Sequence, residues 1–124
     1  MFALGVQECE DIKVRRTEGH RSKALFLLLQ RSLGKSFECI ARHKIGGIQI
    51  AVFVKRRVAK RVTGVHVMDV ACGVGNVLTN KGAVCVLLRI RRQTLAIVSA
   101  HLAAHQTKVT LSSTTYPPFI CLAN

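Results

Sequence analysis

A chain of 124 residues, 49% hydrophobic, is long enough for one ordinary domain and too apolar to be a disordered polymer. With 5% aromatics and no Trp, its core has to be built from Val, Ile, Leu and Ala. Nineteen Lys and Arg against six Asp and Glu give a net charge of +13, which suits phosphate-rich partners such as nucleic acid, inositol phosphates or an anionic membrane, and equally suits a plain solvated basic surface.

In chain order, Phe2 to Gln7 reads as a short buried strand ending in Glu8, and the polar stretch Cys9 to Arg16 as a loop. Thr17 to Leu33 reads as a helix, with Thr17 as a candidate N-cap and Leu25, Leu29 and Leu33 recurring on one face. Phe26 and Leu28 widen that face, as packing against a sheet requires, and Gly34 is a suitable stop. The apolar run from Leu25 to Leu29 is far below the ~20 residues of a membrane span.

Beyond Gly34 the period changes to that of strands. Phe37 to Arg42 is one candidate. Ile48 to Val54 is a stronger one, with Ile48, Ile50, Val52 and Val54 on one face and Gln49, Ala51 and Phe53 on the other, preceded by a Gly46-Gly47 turn. Val65 to Val70 alternates again. Ala83 to Ile90 is nearly all apolar, as in a strand buried on both faces, and Arg91, Arg92 and Gln93 turn it into a partner strand, Thr94 to Leu102. The Ser/Thr run from Thr110 and the Pro117-Pro118 pair predict an irregular, disordered tail over 110–124. The pattern is α+β, mostly strands with one long early helix.

Cysteines at 9, 39, 72, 85 and 121 form no C-x-x-C pair, which argues against a zinc site and for reduced thiols, with Cys85 read as a small buried hydrophobe. Gly73-Val74-Gly75 lacks the third glycine and the strand-then-helix setting of a dinucleotide site. No carboxylate follows Asp69, so the second half cannot hold a metal by itself.

Four segments, Leu4 to Glu8, Ile45 to Lys55, Thr79 to Val84 and Ser99 to Ala104, stand in an order that resembles the first part of the inositol polyphosphate 5-phosphatase catalytic domain, in the endonuclease/exonuclease/phosphatase superfamily. Gln7-Glu8 and the Ser-x-His-Leu of Ser99 to Leu102 are general to that superfamily, whereas Asn80-Lys81-Gly82 followed by Ser99-Ala100-His101-Leu102-Ala103-Ala104 is particular to the 5-phosphatase branch. Thr79 departs from the Gly common at its position. The resemblance covers residues 2–109, with 1–109 taken as a partial catalytic domain and 110–124 as divergent.

The resemblance implies part of a four-layer α/β/β/α sandwich of the DNase I-like type. It implies Glu8 as a Mg²⁺ ligand, His101 as the catalytic His that contacts the scissile phosphate, and Asn80 and Lys81 as substrate-binding residues. On spacing alone, Glu8 reads rather as an ordinary strand-end acid and His101 as a satisfied core His, while Lys81 reads equally as a solvated turn residue. Substrates would be phosphoinositides or soluble inositol phosphates, in the cytoplasm or at the surface of an anionic membrane, with no specific nucleic acid. The family's Gly-Asp-x-Asn, Pro-x-Trp-Cys-Asp-Arg and final Asp-His motifs have no counterpart here, so the expectation is a fragment inactive alone and prone to associate. A non-catalytic basic module, or a nuclease of the same superfamily, stands as the alternative. The resemblance further predicts that Phe2–Glu8 and Thr94–His101 share one sheet and deliver Glu8 and His101 to one cleft, with Asn80 close by.

Overall fold

The structure, a computed structural model, describes residues 1–9, 19–72 and 81–102. The elements are β1 (Phe2–Val6), α1 (His20–Leu33), β2 (Phe37–Ile45), β3 (Ile48–Lys55), α2 (Arg56–Ala59), β4 (Val62–Ala71), β5 (Gly82–Ile90) and β6 (Gln93–His101). Thr17, Asn80 and the tail 110–124 lie outside the described residues.

The strands make two antiparallel three-stranded sheets, ordered β1-β3-β2 and β4-β5-β6. The alternation in β3 decides how they stack. Ile48, Ile50 and Val52 face Val84, Val86 and Leu88 of β5 and are closed off from water with them, so the core lies between the sheets. The opposite face of β3 takes α1: Leu25, Phe26 and Leu29 line a shallow depression with Leu4, Val6, Gln49 and Ala51, and the Phe26 ring stacks on Phe53 at 5.8 Å. Three of the four expected layers are thus present among the described residues: α1, the β1-β3-β2 sheet and the β4-β5-β6 sheet.

The strands follow one another in register across the sandwich. Gly5 pairs with Ile50 and Ile50 with His43 in one sheet, while Ser99 pairs with Val84 and Val84 with Asp69 in the other. Gly5 meets Ser99, Ile50 and Val84 share the core, and His43 Nε2 lies 2.7 Å from Asp69 Oδ1. β1 therefore sits over β6, β3 over β5 and β2 over β4.

Several expectations change. The helix begins at His20 with Gly19 as N-cap in extended backbone, and no side chain caps it. Leu28 is 62% exposed, because the helix face toward the sheet is set by Ser22, Leu25, Phe26 and Leu29. One helical turn, α2, is too short for periodicity to have revealed it. Cys85, read as buried, is half-buried with its outward neighbours Ala83 and Leu87, because among the described residues no helix lies over that face of the β4-β5-β6 sheet. Finally, β1 and β6 do not share a sheet: β1 hydrogen-bonds to β3, and reaches β6 across the sandwich instead.

Candidate functional site

Because β1 runs over β6, the two strands end at the same rim. Gly5 makes this approach possible: a Cβ there would stand 2.7 Å from Ser99 Oγ and 2.8 Å from Ser99 Cβ. Buried Ser99 also receives the Gln7 side-chain amide, Nε2 to Oγ at 3.5 Å. One residue beyond Gln7 and two beyond Ser99, Glu8 and His101 meet, with Glu8 Oε1 3.1 Å from His101 Nε2.

Glu8 is held by backbone as well as by its side chain. Its φ of 55° turns the chain sharply out of β1, and the next amide, Cys9 N–H, donates to the Gly47 carbonyl at 3.1 Å. Gly47 belongs to the β2–β3 turn, where Gly46 takes a φ of 53°. The Gln49 side-chain amide donates to Cys9 Sγ at 3.1 Å and fixes the same segment. The Gly46-Gly47 turn thus has a second use, as the anchor of the chain leaving Glu8.

Lys81 arrives from the other sheet. Gly82 pairs with His101 at the start of β5, so the preceding residue lies beside the His ring, and Lys81 Nζ is 2.5 Å from His101 Nε2. The Lys81 carbonyl accepts the Cys72 amide at 2.8 Å, which closes the end of the β4–β5 pair. Gly82, with φ 154°, has no room for a side chain, because a Cβ would run into the Val70 carbonyl.

One imidazole nitrogen therefore serves two partners of opposite charge. It accepts from the Lys81 ammonium or donates to the Glu8 carboxylate, one at a time. The His101 side chain is 22% exposed and that of Glu8 77% exposed, so the trio opens outward, with the ring as its floor. Lys81 keeps further N–H donors for an incoming anion. Among the described residues no group of three or more His, Cys, Asp and Glu could hold a metal ion.

The sequence-predicted residues Glu8, His101 and Lys81 come together; Asn80 precedes Lys81 but lies outside the described residues. Sequence reasoning missed the supports. Gly5 and Ser99 carried a signal, a glycine within one strand and a hydroxyl on the inner face of another. The His43–Asp69 pair, which joins the sheets on the side away from β1, carried none, because its partners are 26 residues apart in different strands. The described cysteines are all free. Burial pushes the Cys39 thiol up against a smaller downward pull from Arg42, and burial alone pushes up that of Cys85, so neither is a poised nucleophile.

Residues 1–116 match the profile of endonuclease/exonuclease/phosphatase family 2. The chain is 38% identical over 72 residues to the type II inositol polyphosphate 5-phosphatase 15 of Arabidopsis thaliana, covering 58% of this chain and 6% of that protein. It is 30% identical over 110 residues to the phosphatidylinositol 3,4,5-trisphosphate 5-phosphatase 2B of Danio rerio, covering 87% of this chain and 8% of that one. Its fold matches the solved inositol polyphosphate 5-phosphatase domain of SPsynaptojanin, in complex with inositol (1,4)-bisphosphate and calcium ion, with a TM-score of 0.68 at 19% identity over 91% of this chain and 34% of that chain. The chain thus spans under a tenth of the length of both named relatives and about a third of the solved domain. The two-sheet sandwich is accordingly of the DNase I-like type, and the chain belongs to endonuclease/exonuclease/phosphatase family 2, as an inositol polyphosphate 5-phosphatase-like sequence.

Proposed function

We propose that Glu8, Lys81 and His101 form part of a divalent-metal-dependent site that removes a phosphate from an inositol phosphate or phosphoinositide, and that this chain by itself does not turn over. The supporting observation is that Glu8, on one sheet and more than seventy positions away in sequence, meets Lys81 and His101 of the other sheet at one rim, with its carboxylate and the Lys81 ammonium both on the His101 Nε2. The relatives are named for phosphatase activity on inositol phosphates and phosphoinositides, and the matching structure carries such a ligand.

The donor set fits a hard cation that keeps most of its waters, as Mg²⁺ does, because Glu8 offers one exposed carboxylate and no cage of described residues surrounds it. When bound, the cation supplies positive charge opposite the phosphate oxygens. The chain's own residues do the rest of what is present. Lys81 attracts and orients the phosphate as a point charge. His101 donates its Nε2–H to a phosphate oxygen as charge develops there, in exchange for the Glu8 carboxylate that shares that nitrogen in the free chain. Asn80, next to Lys81, would add an amide to the same loop. A carboxylate to orient the attacking water and a donor for the leaving oxygen are not supplied by this trio, hence the expected inactivity. The setting proposed is the cytoplasm, at or near anionic membranes.

The test is NMR of the His101 ring signals during titration with inositol (1,4)-bisphosphate and Mg²⁺, together with a phosphate-release assay. Saturable shifts lost in Glu8→Ala and Lys81→Ala, with no phosphate released above a His101→Ala control, are expected. An unshifted His101 overturns the site, and turnover above the control overturns the inactivity.

A further inference from the structure

The basic runs separated in sequence meet at one end of the sandwich, the end opposite Glu8 and His101. β3 leaves the core at Lys55, and α2 follows at once with Arg56 and Arg57. The Arg56 amide donates to the Ser36 carbonyl at 3.0 Å, and its guanidinium Nε to the Lys35 carbonyl at 2.9 Å, which ties α2 to the turn before β2. After α2, the Arg61 carbonyl accepts the Arg91 amide at 3.1 Å, which ties the same segment to the β5–β6 turn of the other sheet. Lys55, Arg56, Arg57, Arg61, Arg91 and Arg92 are all exposed. Glu38 is the one acid among the described residues at this end, 3.8 Å from Arg56. Phe2, exposed and edge-on to Phe37 with ring centroids 5.3 Å apart, lies at the same end.

We infer that this basic pole is a docking surface for an anionic lipid bilayer. Its charge is concentrated in turn tips and a single helical turn, so it presents a field of cations to a plane. Among the described residues no long helix or strand ribbon projects from it to enter a nucleic-acid groove. An exposed aromatic ring beside clustered Arg and Lys suits the headgroup layer, where each cation adds to attraction by acidic lipids.

The orientation has a consequence that rests on the phosphate site proposed above. The strands between the two ends have up to ten residues, so a molecule docked by the pole holds Glu8 and His101 about 30 Å out in the water. Soluble inositol phosphates reach that rim; headgroups of the same bilayer do not.

Vesicle flotation of the full chain tests the pole without any substrate, so its outcome is separate from that of the phosphate site. Phosphatidylcholine vesicles containing phosphatidylserine should bind the chain at about 0.1 M salt and release it as salt rises, while pure phosphatidylcholine vesicles should not. Arg57→Glu with Arg92→Glu should weaken binding by about tenfold or more. Lys23→Glu with Lys44→Glu, the same change in net charge away from the pole, should leave it within about twofold. Arg57→Gln with Arg92→Gln, expected to lie between, replaces the reversal pair if that pair loses its circular dichroism. Equal losses in the two pairs, an unaffected pole pair, or tighter binding of a short DNA duplex than of the vesicles would each overturn the proposal.

Discussion

Gly5 lies directly against Ser99 across the two sheets, close enough that a Cβ on Gly5 would stand 2.7 Å from the Ser99 hydroxyl. This contact sets the spacing of β1 and β6, and with it the distance between Glu8 and His101 a few residues further on. Gly5→Ala should therefore cost about 1–3 kcal/mol through overpacking, and the Glu8–His101 contact should open. Ser99→Gly removes both atoms that the new methyl would meet. The double variant should recover more stability than the two single losses would add up to, as a double-mutant cycle in urea would read. Strict additivity would mean that the two strands separate freely and that Gly5 does not set the site.

The strand positions were legible because alternation is a local property. Ile48, Ile50 and Val52 were placed on one face from the sequence, and that face is the core. The same alternation puts Ser99 and His101 on the face of Ile97, which packs against the same core. What alternation leaves open is whether two strands are neighbours in a sheet or stacked across a core. β1 and β6 were expected in one sheet and are stacked across the core, although both readings bring Glu8 and His101 together. The site residues were found by resemblance to family motifs. The support that Gly47 gives Cys9, and the His43–Asp69 tie between the sheets, come from other strands and leave no local trace.

Glu8 occupies left-handed backbone at φ 55°, which costs a non-glycine residue about 1 kcal/mol or more. Glu8→Gly and Glu8→Ala both remove the exposed contact with His101, worth about 0–1 kcal/mol, but only glycine relieves the backbone. Glu8→Gly should be about 1 kcal/mol more stable than Glu8→Ala in urea unfolding, while both lose any cation dependence of the His101 signals. Equal stabilities would show that the strain is released elsewhere in the Gln7–Cys9 turn.

Gly82 is the strictest position in the site. Its Cβ would run into the Val70 carbonyl, which belongs to the strand it pairs with. Gly82→Ala should cost more than Gly5→Ala, about 3 kcal/mol or more, because backbone rather than a movable hydroxyl has to yield. Lys81 should shift with it, so residual inositol bisphosphate binding should fall even in the fraction that stays folded. Comparing chemical denaturation with ligand titration for the two glycine variants checks the order.

Cys39 and Cys85 have thiols raised by burial. In the native chain they should alkylate more slowly with iodoacetamide at neutral pH than in the urea-unfolded chain, because the thiolate is the reacting form. The sign for stability follows from the same shift. A thiol whose folded pKa lies above its unfolded value contributes stability below the unfolded value, and that contribution is lost as pH rises through the folded value. Unfolding midpoints should fall in the alkaline range, and replacing both residues with Ala should flatten that part of the profile. Peptide mapping of the alkylated sites identifies which thiols are protected.

The outward face of the β4-β5-β6 sheet carries Met68, Cys85 and Val98 in one cross-strand row, flanked by Leu87 and Ala96 in the next. Met68 and Val98 are 41% and 52% exposed, and among the described residues no helix lies over them. The equivalent face of the other sheet is covered by α1, through Phe26 on Phe53 and Leu25 and Leu29 over Ala51. A contiguous apolar sheet face in water favours association, since each buried side chain of this size gains about 1.5–3 kcal/mol. The chain should therefore run above its monomer mass in sedimentation or light scattering, increasingly so at high salt, where its net charge of +13 no longer keeps copies apart. Met68→Lys with Val98→Thr should shift the distribution toward monomer with little loss of stability, because neither side chain belongs to the core between the sheets. An unchanged distribution in that variant, or a wild-type chain that stays monomeric at high salt, would mean that association does not run through this face.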